Sequence, residues 1–428
     1  MTIHVVSAGD TIYSIAEKYN VSARLIMENN GITNPNLLTL GQALLILEPD
    51  VTYQVQPGDS IFLIAQRFGV SPNVLLQNNP QLAITDTIYP GQTIIISFKE
   101  PPQEEYLVNG YAYPYIDETL LNQTVPYLSF LSVFSYGFHA NGELIPPDDM
   151  NLILAARAFG AAPILVLTPL DENGKFSNKL ISEMVNNPEA RANLIYNLMV
   201  VMGQKSYFGI DVDFEFVLPT DKEAFITFLS ELQTAMNEVG FRVFVALAPK
   251  TSSTQPGLLY AAHDYKRIGE IANYVLLMTY EWGYAYGPPM AVAPLNKVKE
   301  VLDYAVQEIP PEKIIMGIPN YGYDWTLPFT MGEGRALTVG NQEAVQMAMD
   351  IRAEILFDEV AQSPYFFYTS EDGSAHVVWF EDARSIDAKL RTVKEYGFSG
   401  VGYWNLMRPF IQNWMLISNV FDINKFGI

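Results

Sequence analysis

"FGIDVDFEF", residues 208–216, decides how this chain is read. It places three acids, Asp211, Asp213 and Glu215, at every second position. Ile210, Val212, Phe214 and Phe216 fall between and after them. In an extended strand, residues i, i+2 and i+4 point to one face. The three carboxyls therefore share one side, and the apolar residues share the other. A solvated loop has no use for that much apolar, β-branched content, and an ordinary buried strand avoids charge.

Working outward, apolar runs alternate with amphipathic helical stretches from residue 106 onward. The runs are 106–115, 128–138, 162–170, the opening stretch, 242–249, 274–282, 314–325 and 400–406. Stretches such as 179–202 and 221–239 between them have helical patterning. Eight strands alternating with helices over roughly 300 residues have the size and rhythm of a (β/α)8 barrel, an α/β fold. Near-continuous apolar strands suit a sheet buried on both faces. Residues 326–380, with a hairpin around Glu371-Asp372-Gly373, are too long for one connecting helix and read as a small α+β insertion after strand 7. Such an insertion lies on the C-terminal face of the barrel, beside an active site.

This frame places the acids. Ile210, Val212, Phe214 and Phe216 are expected to pack on the surrounding helices, so the carboxyls point into the barrel, with Glu215 nearest the catalytic rim. Like charges in a low-dielectric interior cannot all ionise, and the outcome is shared protons and raised pKa values. A general acid working near neutral pH needs that arrangement.

The front of the chain is a repeat. Residues 4–30, "HVVSAGDTIYSIAEKYNVSARLIMENN", realign with 53–79, "YQVQPGDSIFLIAQRFGVSPNVLLQNN", with ten identities in 27 positions. The match resumes at "LGQALLIL" (40–47) and "PGQTIIIS" (90–97). Each unit reads as a strand, a Gly-Asp turn, two helices and a closing strand. The "GD(T/S)-I-x-x-IA" start, the "NN" and the "GQ" end resemble LysM domains, assigned to residues 2–48 and 51–98. The resemblance implies βααβ modules that bind N-acetylglucosamine-containing glycans, with tandem copies adding avidity. A spacer without ligand is the alternative. The polar, proline-paired residues 99–105 form a linker to the barrel at 106–428.

Composition narrows the function. The 428 residues carry a formal net charge of −22. That argues against nucleic acid and anionic membranes, which need clustered Lys and Arg. The absence of cysteine excludes disulfides, thiolate zinc sites and cysteine nucleophiles. No run approaches a membrane span, and the N-terminus has no basic stretch followed by an apolar run. The four histidines, at 4, 139, 263 and 376, show no metal-binding spacing.

Residues 208–215, F-G-I-D-V-D-F-E, resemble the fourth-strand pattern D-G-x-D-x-D-x-E of glycoside hydrolase family 18. The Gly, the last two Asp and the Glu match. Phe208 stands where the pattern has an Asp that helps tune the network, so this site is expected to tune Glu215 differently. "MTYEW" (278–282) resembles the family's Met-x-Tyr-Asp motif, with Glu281 in place of Asp. "GYWNL" (402–406) resembles the eighth-strand segment whose Trp floors the sugar pocket.

The resemblance implies a retaining, substrate-assisted N-acetylglucosaminidase that needs no cofactor and no metal. Glu215, Asp213, Asp211 and Tyr280 would be catalytic. Tyr111, Met278, Glu281, Asn320 and Trp404 would contact substrate. LysM units ahead of such a barrel resemble the spore cortex-lytic enzymes of bacilli. That implies a monomer located in the bacterial spore, at the coat or cortex, acting on peptidoglycan during germination and made without a signal peptide. A chitinase and a non-catalytic glycan-binding coat protein remain open readings.

Overall fold

Eight parallel strands close into a barrel because each has an apolar stripe for both of its faces. The structure, a computed structural model, describes residues 1–85, 87–170 and 174–426. The strands are β1 (Glu105–Ala112), β2 (Phe130–Phe138), β3 (Ala162–Leu167) and β4 (Gly209–Val212). They continue with β5 (Arg242–Leu247), β6 (Tyr274–Leu277), β7 (Ile314–Pro319) and β8 (Gly400–Trp404). Each pairs with its chain neighbour, and β8 returns to β1, which closes the sheet.

Alternation divides the side chains. Val108, Val133, Leu165, Ile210, Val212, Val245, Leu277 and Met316 join the helices in one core. Leu107, Phe130, Ile164, Val166, Phe244 and Leu276 fill the barrel interior. Asp211 lies in register with Val166 and Phe244, so it points inward among apolar neighbours. At the N-terminal end of the strands an aromatic plug seals the barrel. Phe426, from the segment after the last helix, stacks on Phe130 at 4.9 Å and lies 4.9 Å from Phe208. Phe208 is therefore part of the barrel floor.

Two local readings are corrected. The opening stretch is strand only to Val212, because its neighbours end at Leu167 and Leu247 and the chain turns at Glu215 and Phe216. Phe216 is not buried under the helices; it is 42% exposed. It lines a hollow with Phe176 and Leu258 on the loops after β3 and β5. The run 314–325 is also two strands. β7 stops at Pro319, and Gly322–Leu327 belongs to a five-stranded antiparallel sheet with Leu337–Val339, Leu356–Asp358, Ser363–Thr369 and Ala375–Trp379. A Cβ at Gly322 would come within 2.2 Å of Trp379 O, so this crossing requires glycine. With the helix Asn341–Ile351, the sheet forms the α+β insertion after β7.

Each LysM unit is built as its repeat implies. Thr2–Val5 pairs with Ala43–Ile46, and Pro49–Gln54 with Thr93–Phe98. Thr11, Ser22, Ser60 and Ser71 cap the four main helices. In the first Gly-Asp turn, Asp10 Oδ2 accepts from Ser7 N at 2.8 Å and pairs with His4 Nε2 at 3.0 Å. In the second, Asp59 Oδ2 accepts from Gln56 N and Tyr53 Oη, both at 2.7 Å. The second Asn of each "NN" is structural. Asn30 and Asn79 bond the closing strand at Leu45 and Ile95 through both amide atoms.

The units are fastened to the barrel. Gln412 donates to Asn30 Oδ1 (2.7 Å) and Ala43 O (2.9 Å), and accepts from Ala383 N at 2.8 Å. Ile355 N, in the insertion, donates to Leu40 O at 2.8 Å. On the second unit, Gln77 Nε2 donates to Pro126 O at 2.8 Å.

Candidate active site

The C-terminal ends of β4, β6, β7 and β8 surround a cavity of about 400 Å³. Asp213 and Glu215 enter from β4, and Met278, Tyr280 and Glu281 from β6. Asn320 comes from β7, and Trp404, Asn405 and Arg408 from β8. Tyr321, Tyr323 and Thr338 come from the insertion, which supplies one wall. A hollow of about 640 Å³ lies between the LysM units and the barrel, but among the described residues Glu28 is the sole carboxylate lining it. Asp213, Glu215 and Glu281 all line the smaller cavity.

The acids form a column. Asp211 is 1% exposed and accepts the Tyr111 hydroxyl on Oδ2 at 2.5 Å. Its Oδ1 and Asp213 Oδ1 are buried without a hydrogen-bond partner. Asp213 N donates to Leu167 O at 3.0 Å, which extends the ladder one residue past β4. Burial raises the Asp211 pKa to about 6, against the pull of Tyr111. Burial, then the charges of Glu215 and Asp211, hold Asp213 well above the ordinary carboxylate range. Glu215, half-buried at the rim, is raised by burial and then by Glu281. The column therefore keeps protons that exposed carboxyls would have lost.

Tyr280 stays a phenol, because burial and then the charge of Asp213 push its ionisation far up. Its ring has room because β7 has Gly317 opposite it; a Cβ there would lie 2.8 Å from Tyr280 Cε1. Glu281 adopts φ +66°, a left-handed conformation that costs a residue with a Cβ about 1–3 kcal/mol. Its side chain is gripped in return. Tyr321 Oη donates to Glu281 Oε1, and Tyr323 Oη donates to the same oxygen at 3.0 Å.

Trp404 is half-buried and meets Phe134 edge-on at 4.8 Å and Tyr111 at 5.6 Å. Asn320 ties β7 to the end of β8. Its Nδ2 donates to Asn405 O at 2.8 Å and Arg408 O at 3.0 Å, while its buried Oδ1 has no partner.

Seven of the nine residues singled out in the sequence line this cavity: Asp213, Glu215, Met278, Tyr280, Glu281, Asn320 and Trp404. Asp211 and Tyr111 lie beneath it. Tyr111 is 3% exposed and spends its hydroxyl on Asp211, so it lies under the acids. Sequence reasoning missed Tyr321, Tyr323, Thr338, Asn405 and Arg408. The alternating aromatics of "NYGYDW" (320–325) carried a signal, but they were assigned to the tail of a barrel strand.

Chemically, the site offers a carboxyl with a raised pKa at the rim, buried carboxyls below it, a phenol donor and an aromatic wall. Such a set can give a proton to a leaving oxygen and face a developing positive charge.

Comparison with known proteins follows this geometry. The profile of Glycosyl hydrolases family 18 matches residues 173–408, and the LysM domain profile matches 4–46 and 53–97. The chain is 40% identical over 431 residues to the cortical fragment-lytic enzyme of Bacillus subtilis (strain 168), covering 99% of both chains. It is similar to the crystal structure of the Bacillus megaterium QM B1551 spore cortex-lytic enzyme SleL, with TM-score 0.84 and 40% identity over 99% of this chain and 98% of that one. A chitinase from Chromobacterium violaceum ATCC 12472 is 26% identical, with TM-score 0.68, over 73% of this chain and 98% of that one.

Proposed function

The chain belongs to glycosyl hydrolase family 18, and from that membership we propose that it is a retaining, substrate-assisted N-acetylglucosaminidase of spore cortex peptidoglycan. The observation that carries this reading is the column Asp211–Asp213–Glu215 rising to a rim acid beside Tyr280 and Trp404. The names of the full-length relatives, which act on cortical fragments and spore cortex, supply the polymer.

In this mechanism an N-acetylglucosamine unit sits on Trp404. Glu215 gives its proton to the glycosidic oxygen as the bond to the anomeric carbon breaks. The substrate's acetamido oxygen forms the new bond to that carbon, giving an oxazolinium ion. Family 18 is among the substrate-assisted exceptions to the two-carboxylate scheme. Asp213 accepts from the acetamido N–H and balances the positive charge, while Tyr280 donates to the acetamido oxygen. Asp211 exchanges a proton with Asp213. Glu215, now a carboxylate, takes a proton from water as the water opens the ring, and the configuration is retained.

The chemistry restricts the cleaved sugar to one with a free N-acetyl group. Muramic δ-lactam, whose nitrogen is locked in a ring, cannot supply it. Where the alternate sugar is that lactam, cleavage therefore follows N-acetylglucosamine. The LysM units hold N-acetylglucosamine-containing glycan, and the enzyme works as a monomer in the spore coat or cortex without a cofactor.

The test is incubation of purified cortex and chitin with the wild type and Glu215→Gln, followed by analysis of the ends. New reducing N-acetylglucosamine from cortex, little release from chitin and no turnover by the variant support the reading. Release from chitin alone makes the protein a chitinase, and a fully active variant removes Glu215 as the acid.

A further inference from the structure

Glu215 projects from backbone that the sheet no longer holds. β4 ends at Val212, and the last ladder bond is Asp213 N to Leu167 O. One residue further on, Phe214 O belongs to the same planar peptide unit as Glu215 N. Whatever fixes that carbonyl fixes the direction in which Glu215 leaves the chain. The group that reaches it is His263, at the end of the loop after β5 and 1% exposed.

The ring's protonation follows from its partners. Ala248 N lies 3.0 Å from His263 Nδ1, and a backbone N–H can only donate. Nδ1 is therefore the unprotonated nitrogen, and Nε2 carries the hydrogen. Nε2 lies 3.1 Å from Phe214 O, a carbonyl that can only accept. One buried imidazole thus bridges the ends of β4 and β5 with each nitrogen in a fixed role.

The surrounding groups hold the ring in place. Lys250 Nζ donates to His263 O at 2.9 Å. Tyr265 Oη donates to Ala248 O at 2.5 Å and accepts from Lys250 N at 2.9 Å. Beyond them, Lys222 pairs with Asp264 at 2.9 Å. Burial, opposed by the bond to Phe214 and helped by Lys250, takes the ring's pKa down to about 4, so it stays neutral in ordinary working conditions. On its other side, Phe214 is packed against Phe138, Phe225 and Phe228.

We propose that His263 is a positioning residue for the reaction: by donating to Phe214 O, it holds Glu215 above Asp213 at the rim of the cavity. It does not line that cavity and does not touch substrate. The proposal rests on the reading of Glu215 as the general acid.

The experiment measures kcat, KM and their pH dependence on soluble cortical glycan fragments for His263→Phe, His263→Gln and Tyr265→Phe. Phe keeps the ring volume and loses both bonds. Gln can still donate to Phe214 O. Tyr265→Phe loosens the same cage at Ala248 and Lys250 without touching Phe214. For His263→Phe, kcat should fall about tenfold or more, as for other small misplacements of a reacting group. KM should stay near the wild-type value. The alkaline limb should move to lower pH, because a Glu215 released toward water loses the burial that raises its pKa.

His263→Gln should recover part of kcat, and Tyr265→Phe should keep both kcat and the limb despite a lower melting temperature. A folded His263→Phe with wild-type kcat and pH profile would overturn the proposal. So would a Tyr265→Phe that reproduces the same kcat loss and limb shift, because the effect would then be general loosening. If His263→Phe does not fold, His263→Gln and its counterpart His263→Asn decide. Wild-type kcat and limb position in both overturn the proposal, and a kcat loss at constant KM in His263→Asn supports it. Glu215→Gln is run alongside; turnover by that variant defeats the general-acid reading and leaves the His263 geometry untouched.

Discussion

Tyr111 donates its hydroxyl to Asp211 at 2.5 Å beneath the floor of the cavity, and that bond is the sole hydrogen bond to the Asp211 carboxyl among the described residues. One donor does not offset the loss of water. The Asp211 pKa rises from 3.8 to about 6, with burial the largest cause. Between about pH 4 and 6 the folded protein therefore holds a proton that the unfolded chain has released. Stability contributed by protonated Asp211 is full below about pH 4 and is lost as pH rises through about 6.

Asp211→Asn removes that penalty. The variant should be more stable than the wild type at pH 8, by at most roughly 3 kcal/mol for a shift of this size. The gap should close toward pH 4, and activity should fall, as is common when a strained site is relieved. Thermal unfolding at the two pH values checks it. A gap that is the same at both, or that grows toward pH 4, contradicts the assignment.

Glu281 raises the Glu215 pKa by its charge, second only to burial. Glu215 acts as an acid only while protonated, so activity is lost as pH rises through its pKa. Glu281→Gln removes the like charge and should move the alkaline limb of kcat/KM to lower pH. An unmoved limb would show that Glu281 does not tune the acid.

The two LysM repeats supply an internal control for docking. Gly41 and Gly91 occupy equivalent positions with φ +76° and +87°. A Cβ at Gly41 would come within 1.8 Å of Ile355 O in the insertion, while one at Gly91 meets nothing within 4 Å. Gly91→Ala should cost about 1 kcal/mol, from its left-handed backbone alone. Gly41→Ala should cost clearly more and should loosen the first LysM unit from the barrel. Urea unfolding and limited proteolysis measure both, and equal losses would contradict a docked first repeat.

How much of this was legible depended on whether local pattern or distant contact sets a feature. The eight strands could be read because both faces of a barrel sheet are buried, leaving apolar runs such as "APILVL". The acid column could be read because a period of two assigns Asp211, Asp213 and Glu215 to one face. The LysM units could be read from self-similarity. Phe216 could not, because the turn that exposes it is set by where neighbouring strands stop. Tyr321 and Tyr323 were hidden by a break at Asn320 that depends on pairing with Trp379, more than fifty residues on. His263 carried no sequence signal, since its partners are two backbone atoms on separate strands. Phe208 stood out as a departure from a pattern, and its packing against Phe426 depends on the far end of the chain.

The central claim concerns which bond is cut and with what stereochemistry, and proton NMR of cortical glycan fragments in the first moments of digestion tests both. The account predicts N-acetylglucosamine at the new reducing end, appearing first as the β-anomer and then relaxing toward equilibrium. Muramic acid at that end, or N-acetylglucosamine appearing first as the α-anomer, would contradict it.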